Sequence, residues 1–249
     1  EMLRSLVGSE MCIRDRFTAV GLVLGVVSFF NILYGTLVGI SKFEVKDIEF
    51  HHPNLPKAFD GYRIVQLSDI HIGSWIDNEK TINELVELVN AQKPDLIVFT
   101  GDLVNQRSCE LEGFQDILAQ LHAKDGVYSI LGNHDYGSYY HWKNLKEQIN
   151  NIDNLVRMQK TMGWKLLNNE YDILHHEGDS IALIGVENDG EPPFSQFADL
   201  KKATKGTDGM FRILLSHNPT HWRREVLPDT DIELMLACLL YTSPSPRDS

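Results

Sequence analysis

Four short polar clusters in this chain each follow an apolar run. Ile64-Val65-Gln66-Leu67-Ser68 runs into Asp69-Ile70-His71, and Leu96-Ile97-Val98-Phe99-Thr100 runs into Gly101-Asp102. Val127-Tyr128-Ser129-Ile130-Leu131 runs into Gly132-Asn133-His134-Asp135, and Phe211-Arg212-Ile213-Leu214-Leu215-Ser216 runs into His217. A buried strand that ends this way delivers its last residues to the edge of a sheet, where open α/β folds place their sites. Four such endings predict one shared site.

The donor types suit cations. Asp69 and His71 are two apart, so in an extended chain both side chains leave on one side, and a carboxylate with an imidazole can bind a divalent ion. Gly101 lets the chain turn sharply before Asp102, whose two oxygens can bridge a pair of ions. Asn133 offers a neutral amide oxygen and His217 a further imidazole. Mixed oxygen and nitrogen donors fit Mn, Fe or Zn without choosing among them. An Asp-x-His or a Gly-Asp alone is common; the specific signal is the whole series, in order, each after an apolar run.

The elements that must position these residues alternate. Asn78 to Gln92 reads as an amphipathic helix, with Ile82, Leu85, Val86 and Val89 on one face and Asp77 as its cap. Phe114, Ile117, Leu118 and Leu121 mark a second helix, and Leu145 to Met162 a third, interrupted near Asn150-Asn151. From Trp164 the pattern changes to short strands at close spacing (Trp164 to Leu167, Tyr171 to His175, Ile181 to Val186), as in a second sheet. A proline loop, Glu191-Pro192-Pro193, leads to a short helix near Phe197 to Ala203. The strand before His217 and another at Ile232 to Leu236 complete the series. Two sheets, each backed by helices, predict a layered α/β sandwich, and the crossover helices favour parallel pairing of the first strands.

Asp69-x-His71, Gly101-Asp102, Gly132-Asn133-His134-Asp135 and His217 together resemble the calcineurin-like metallophosphoesterases, over roughly residues 43–236. Gly61-Tyr62-Arg63, Gly132 through Gly137 and an apolar N-terminal segment are similar to the membrane-associated bacterial branch, some of which resembles phosphodiesterases acting on lipid-linked or UDP-linked pyrophosphate. The resemblance implies a four-layer α/β/β/α fold and two divalent cations. Asp69 and His71 would hold the first, Asn133 and His217 the second, with Asp102 between them. Such a pair lowers the pKa of a water so that hydroxide attacks phosphorus in line. His134 would stabilise the transition state or protonate the leaving oxygen, with Asp135 orienting it. A late Gly-His-x-His that the family carries is absent: Ala237-Cys238-Leu239-Leu240-Tyr241 stands there and no histidine follows His221. The expected consequence is weak cation binding and impaired turnover. A non-catalytic binding or scaffold protein on the same fold is the competing reading.

The remaining segments bound the problem. Residues 17–40 carry no charge, 24 positions in all, long enough for a bilayer span; a signal peptide and a core helix are the alternatives. Lys42 to Phe59 reads as a polar connector with a short extended stretch, Phe43 to Phe50. The expected division is 1–16 an appendage, 17–40 a transmembrane helix, 41–60 a linker, 61–237 an incomplete phosphoesterase domain and 238–249 a second appendage. Residues 9–16 and 238–249 resemble translated sequencing-adapter read-through, so both appendages are left out of the fold. Cys12, Cys109 and Cys238 make no disulfide framework. A formal net charge of −12 argues against nucleic acid as a partner, which needs clustered Lys and Arg. The expected partners are a phosphoester substrate and, through residues 17–40, a membrane, with the catalytic part outside the cytoplasm by analogy with the branch. His122, His141, His175, His176 and His221 read as surface or core residues. Tyr139, Tyr140 and His141 are placed to line a substrate pocket, and Asn218, Arg107 and Arg157 are weaker phosphate candidates.

Overall fold

A computed structural model describes residues 2–37, 39, 42–191 and 195–238. It divides into two compact units, Glu1–Ile48 and Glu49–Ser249. The first contains helix α1, Met2–Leu37, whose stretch Phe17–Gly35 has a mean hydropathy of 2.0 and no buried share. Residues 38, 40 and 41 and the prolines of the 191–193 loop lie outside the described residues. No strand forms over Phe43 to Phe50.

The second unit holds two four-stranded sheets. The first runs β1 (Ile64–Leu67), β2 (Leu96–Phe99), β3 (Val127–Ser129) and β4 (Lys165–Leu166), all parallel. The second runs β5 (Glu170–His176), β6 (Asp179–Gly185), β7 (Phe211–Leu215) and β8 (Leu234–Leu236). Its β5–β6 pair is antiparallel, and the rest are parallel. Alternation along each strand divides the side chains between two cores. Leu96, Val98, Tyr128 and Ile130 of the first sheet meet Leu174, Ile181, Leu183, Phe211, Ile213 and Leu215 of the second. The opposite face of the second sheet, Ala182, Ile184 and Leu214, packs on Leu200 and Ala203 of helix α5 (Leu200–Thr204) and on Val226 and Ile232. The first sheet is backed by α2 (Glu79–Ala91), α3 (Gln115–Leu118) and α4 (Leu145–Thr161). The order helix, sheet, sheet, helix is the predicted four-layer sandwich.

Several local expectations differ. Asn78, not Asp77, stands at the start of α2; its carbonyl accepts from Thr81 N, while Asp77 sits at φ 65, outside the helix. The predicted strand at Trp164 to Leu167 shrinks to two residues and joins the first sheet, because Leu167 N donates to Ser129 O and extends the β3 ladder. Helix α4 is continuous through Asn150-Asn151. Asn151 faces inward, accepting from Ser108 N and donating to Gln106 O, so this polar residue anchors a loop instead of breaking a helix. The short helix predicted near Phe197 begins only at Leu200, where Asp199 caps it through Lys202 N.

Candidate metal centre

The four polar clusters lie at the carboxyl ends of β1, β2, β3 and β7, and the structure brings them together. Asp102 Oδ2 is 3.3 Å from His217 Nε2 and 3.7 Å from His71 Nε2. Asp69 Oδ1 is 3.9 Å from His71 Nε2, and Asn133 Oδ1 is 3.1 Å from His217 Nε2. The floor is buried, with Asp102 3% and His217 4% exposed, while Asp69 and His71 stand at a partly open rim.

The backbone that achieves this is not the extended one that alternation predicts. Asp69, His71 and Asp102 take φ of 55, 47 and 59, and Gly101 takes 98. Side chains with a Cβ disfavour this left-handed region. Hydrogen bonds over-determine it: Asp69 N donates to Gly101 O, His71 N to Asp102 O and Ile72 N to Leu103 O. The two loops are thereby stitched residue for residue. Gly101 and Gly132 allow the closest approach. A Cβ on Gly132 would stand 2.3 Å from Asp102 Oδ1, and one on Gly101 would stand 2.6 Å from Gly132 N.

Hydrogen bonds set which atoms remain for a ligand. His217 Nδ1 donates to Thr100 O at 2.8 Å, so Nε2 faces Asp102 Oδ2 and Asn133 Oδ1. Without a second proton that is lone pair against lone pair. Either a proton or a cation must stand among them. Burial opposes charge on this ring, but the hydrogen bond and charge of Asp102, with the Thr100 carbonyl, push its pKa up to about 9. Burial likewise opposes charge on Asp102, and contacts with His217 and His134 overcome it and lower its pKa. Donors sharing one cation at about 2.1 Å lie about 3.0–3.4 Å apart, the spacing found around His217 Nε2. The residues therefore fit a divalent ion.

Asp135 has a different task from the one predicted. Its carboxylate makes no hydrogen bond to the His134 ring. Oδ2 accepts from Asp102 N and Gly132 N, both at 2.9 Å, and Oδ1 accepts from Leu103 N and Val104 N at 2.9 and 3.1 Å. Asp135 thus holds the Asp102 loop by its main chain. Burial, and then the Asp102 carboxylate, push its pKa up to about 7 while the amides pull downward. The residue that orients His134 is Asn105, whose carbonyl accepts from His134 Nδ1 at 2.8 Å. The rings of His134 and His71 meet edge-on at 4.8 Å. Residue types alone gave no sign of Thr100 and Asn105, since both act through backbone carbonyls.

The family model described as Calcineurin-like phosphoesterase matches residues 62–240. The chain belongs to this family. It is 28% identical over 214 residues to a "Transmembrane protein with metallophosphoesterase domain" of Danio rerio, covering 82% of this chain and 46% of that protein. It is also 28% identical over 204 residues to the "UDP-2,3-diacylglucosamine pyrophosphatase LpxG" of Chlamydia trachomatis, covering 67% of this chain and 60% of that one. An "Uncharacterized metallophosphoesterase YkuE" of Bacillus subtilis is 38% identical over 87 residues, 34% of this chain and 30% of that protein. The chain spans about half the length of the first relatives it matches.

Other candidates fall outside this centre or at its margin. His221 is fully buried and core-satisfied as expected: Nδ1 lies 2.9 Å from Ser216 Oγ, and Nε2 lies 3.2 Å from Asp189 Oδ2 and 3.1 Å from Glu225 Oε2. Arg224 also pairs with Asp189. Asp189 Oδ2 takes both contacts while its buried Oδ1 has no hydrogen-bond partner, and the network spans the turn that follows His217. Cys238 lies beside Asp69 and His217, and burial, then the Asp69 carboxylate, push its thiol up to about 12.

Proposed function

We propose that this chain is the catalytic part of a membrane-anchored phosphoester hydrolase, of phosphodiesterase or pyrophosphohydrolase type, working with two divalent cations. Asp69 and His71 would hold one, Asn133 and His217 would hold the other, and Asp102 would serve both. The observation that carries this reading is His217 Nε2 facing two acceptor oxygens with its Nδ1 proton already given to Thr100. When bound, the cations would neutralise phosphoryl oxygens and acidify a water.

The chain's own residues supply the remainder. His134 keeps its Nδ1 proton on Asn105, so Nε2 gives a proton to the departing oxygen from the doubly protonated ring, which returns to the neutral Nδ1–H form. The buried floor at Asp102 and His217 excludes bulk water beneath the phosphoryl group, and the open rim at Asp69 and His71 admits substrate. Pyrophosphate linked to a lipid or a nucleotide is the substrate class favoured, by likeness to the pyrophosphatase relative and by α1. The 19 residues Phe17–Gly35, apolar and wholly exposed, reach about 28 Å as a helix at about 1.5 Å per residue, close to the hydrocarbon thickness. A large exposed apolar stretch marks a contact surface, here read as a membrane contact.

The test is hydrolysis of a chromogenic phosphodiester by the full chain with added Mn²⁺, Fe²⁺ or Zn²⁺. It is run beside a variant carrying Cys238→Gly, Leu239→His and Tyr241→His. The expected result is weak, chelator-sensitive turnover that rises at least about tenfold when the two imidazoles are added, and that Asp102→Asn abolishes in both. Tenfold corresponds to about 1.4 kcal/mol of transition-state stabilisation. Absence of cation uptake and of turnover in both proteins would instead favour the non-catalytic binding reading.

A further inference from the structure

The loop that follows His134 returns an aromatic residue to the centre. Gly137 makes the return. It sits at φ +63, and an added Cβ would stand 2.8 Å from Gln106 O and 2.9 Å from Trp142 Cζ2. Gly137 N donates to His134 O, Tyr140 N donates to Gly137 O, and Trp142 Nε1 donates to Gly137 O at 2.7 Å. The chain thereby folds back so that Tyr139 reaches two site residues at once. Asn133 Nδ2 donates to Tyr139 Oη at 3.0 Å. The Tyr139 and His134 rings pack with centroids 4.8 Å apart. The tyrosine is nonetheless 49% exposed, so burying its own surface does not explain its place.

We propose that Tyr139 is a positioning residue that aims the Asn133 amide and steadies His134; the inference rests on the reading of Asn133 as a cation ligand. A carboxamide can turn either its oxygen or its nitrogen toward a given point, and only the oxygen binds a cation. With Nδ2 engaged by Tyr139 Oη, Oδ1 points at His217 Nε2, where the second cation belongs. On the other side, the ring limits His134 to the orientation in which Nδ1 meets Asn105 O. The two contacts are separable: Tyr139→Phe removes the hydroxyl and keeps the ring, and Tyr139→Leu removes both.

The experiment counts Mn²⁺ bound to the full chain by water-proton relaxation for wild type and both variants. Thermal melting and the kcat of phosphodiester hydrolysis are measured alongside. Loss of one hydrogen bond to a ligand predicts that Tyr139→Phe weakens the second Mn²⁺ by about three- to tenfold. The first Mn²⁺ and the melting temperature should stay unchanged. Tyr139→Leu should do the same and also lower kcat for phosphodiester hydrolysis at an unchanged melting temperature. Tyr139→Phe with both affinities at wild-type values overturns the inference, as does a weakening that only follows a fall in melting temperature. A wild-type chain that binds no Mn²⁺ overturns the proposed function and this inference together. A wild type that binds while Tyr139→Phe is silent overturns this inference alone.

Discussion

Asp135→Asn separates a structural carboxylate from a chemical one. Each Asp135 oxygen accepts from two main-chain amides, four donors in all, and the side chain is fully buried. The asparagine is nearly isosteric, but one of its ends is an NH₂. Whichever way the amide turns, two backbone N–H groups meet a donor in place of an acceptor. With the carboxylate's pKa pushed up to about 7, part of the charge assistance is already lost at neutral pH. The neutral range of about 1–3 kcal/mol per orphaned donor therefore applies, and the expected loss is about 2–6 kcal/mol. That is a large share of the about 5–15 kcal/mol that holds a domain together, and it corresponds to a fall of about 5–20 °C in melting temperature. Thermal and urea melts of the metal-free protein measure it without reference to activity. An Asp135→Asn protein that melts within about 2 °C of wild type would refute the cradle. If it were also inactive, the carboxylate would have to act on His134 after all.

Two further perturbations follow from the same contacts. Gly132→Ala places a methyl 2.3 Å from Asp102 Oδ1 and 2.8 Å from His217 Cε1; it should destabilise the fold by about 1–3 kcal/mol and abolish Mn²⁺ uptake, read by melting and by relaxation. Asp95 is held below its ordinary pKa: burial opposes its charge, but Lys124 and the Arg63 N–H overcome it. A depressed carboxylate contributes stability above its unfolded pKa of about 3.9 and loses it as pH falls through the lower folded value. Asp95→Asn should therefore flatten the fall of melting temperature below about pH 4, and an unchanged acid limb would contradict the assignment.

Much of the fold is legible because periodicity and burial agree. Leu96 and Val98 face one core while Ile97 and Phe99 face the other layer, and Ile82, Leu85, Val86 and Val89 are all buried on α2. Such regular alternation needs no tertiary information. The two-residue strand Lys165–Leu166 is too short to carry a period, and only the ladder to Ser129 assigns it to the first sheet. Asn150-Asn151 reads as a break because asparagine disfavours helix interiors, yet Asn151 is held by loop atoms more than forty positions away. The site shows the same division. Side-chain donors at strand ends announce themselves by type, and all five predicted ligands share one neighbourhood. The main-chain acceptors at Thr100 and Asn105 and the four amides around Asp135 carry no signature in residue type. Tyr139 was only partly readable: its nearness to the Asn-His-Asp turn was visible, but its hydrogen bond to Asn133 depends on the fold at Gly137.

The left-handed backbone at Asp69 and His71 sets folding against chemistry at the same two positions. Each conformation costs about 1–2 kcal/mol relative to its right-handed counterpart, and glycine would remove that cost together with the donor. A library of this chain sorted for thermal resistance alone would accumulate glycine at positions 69 and 71, while Asp102 would be kept by its buried contacts with His217 Nε2 and His134 N. The hardiest survivors would be inert.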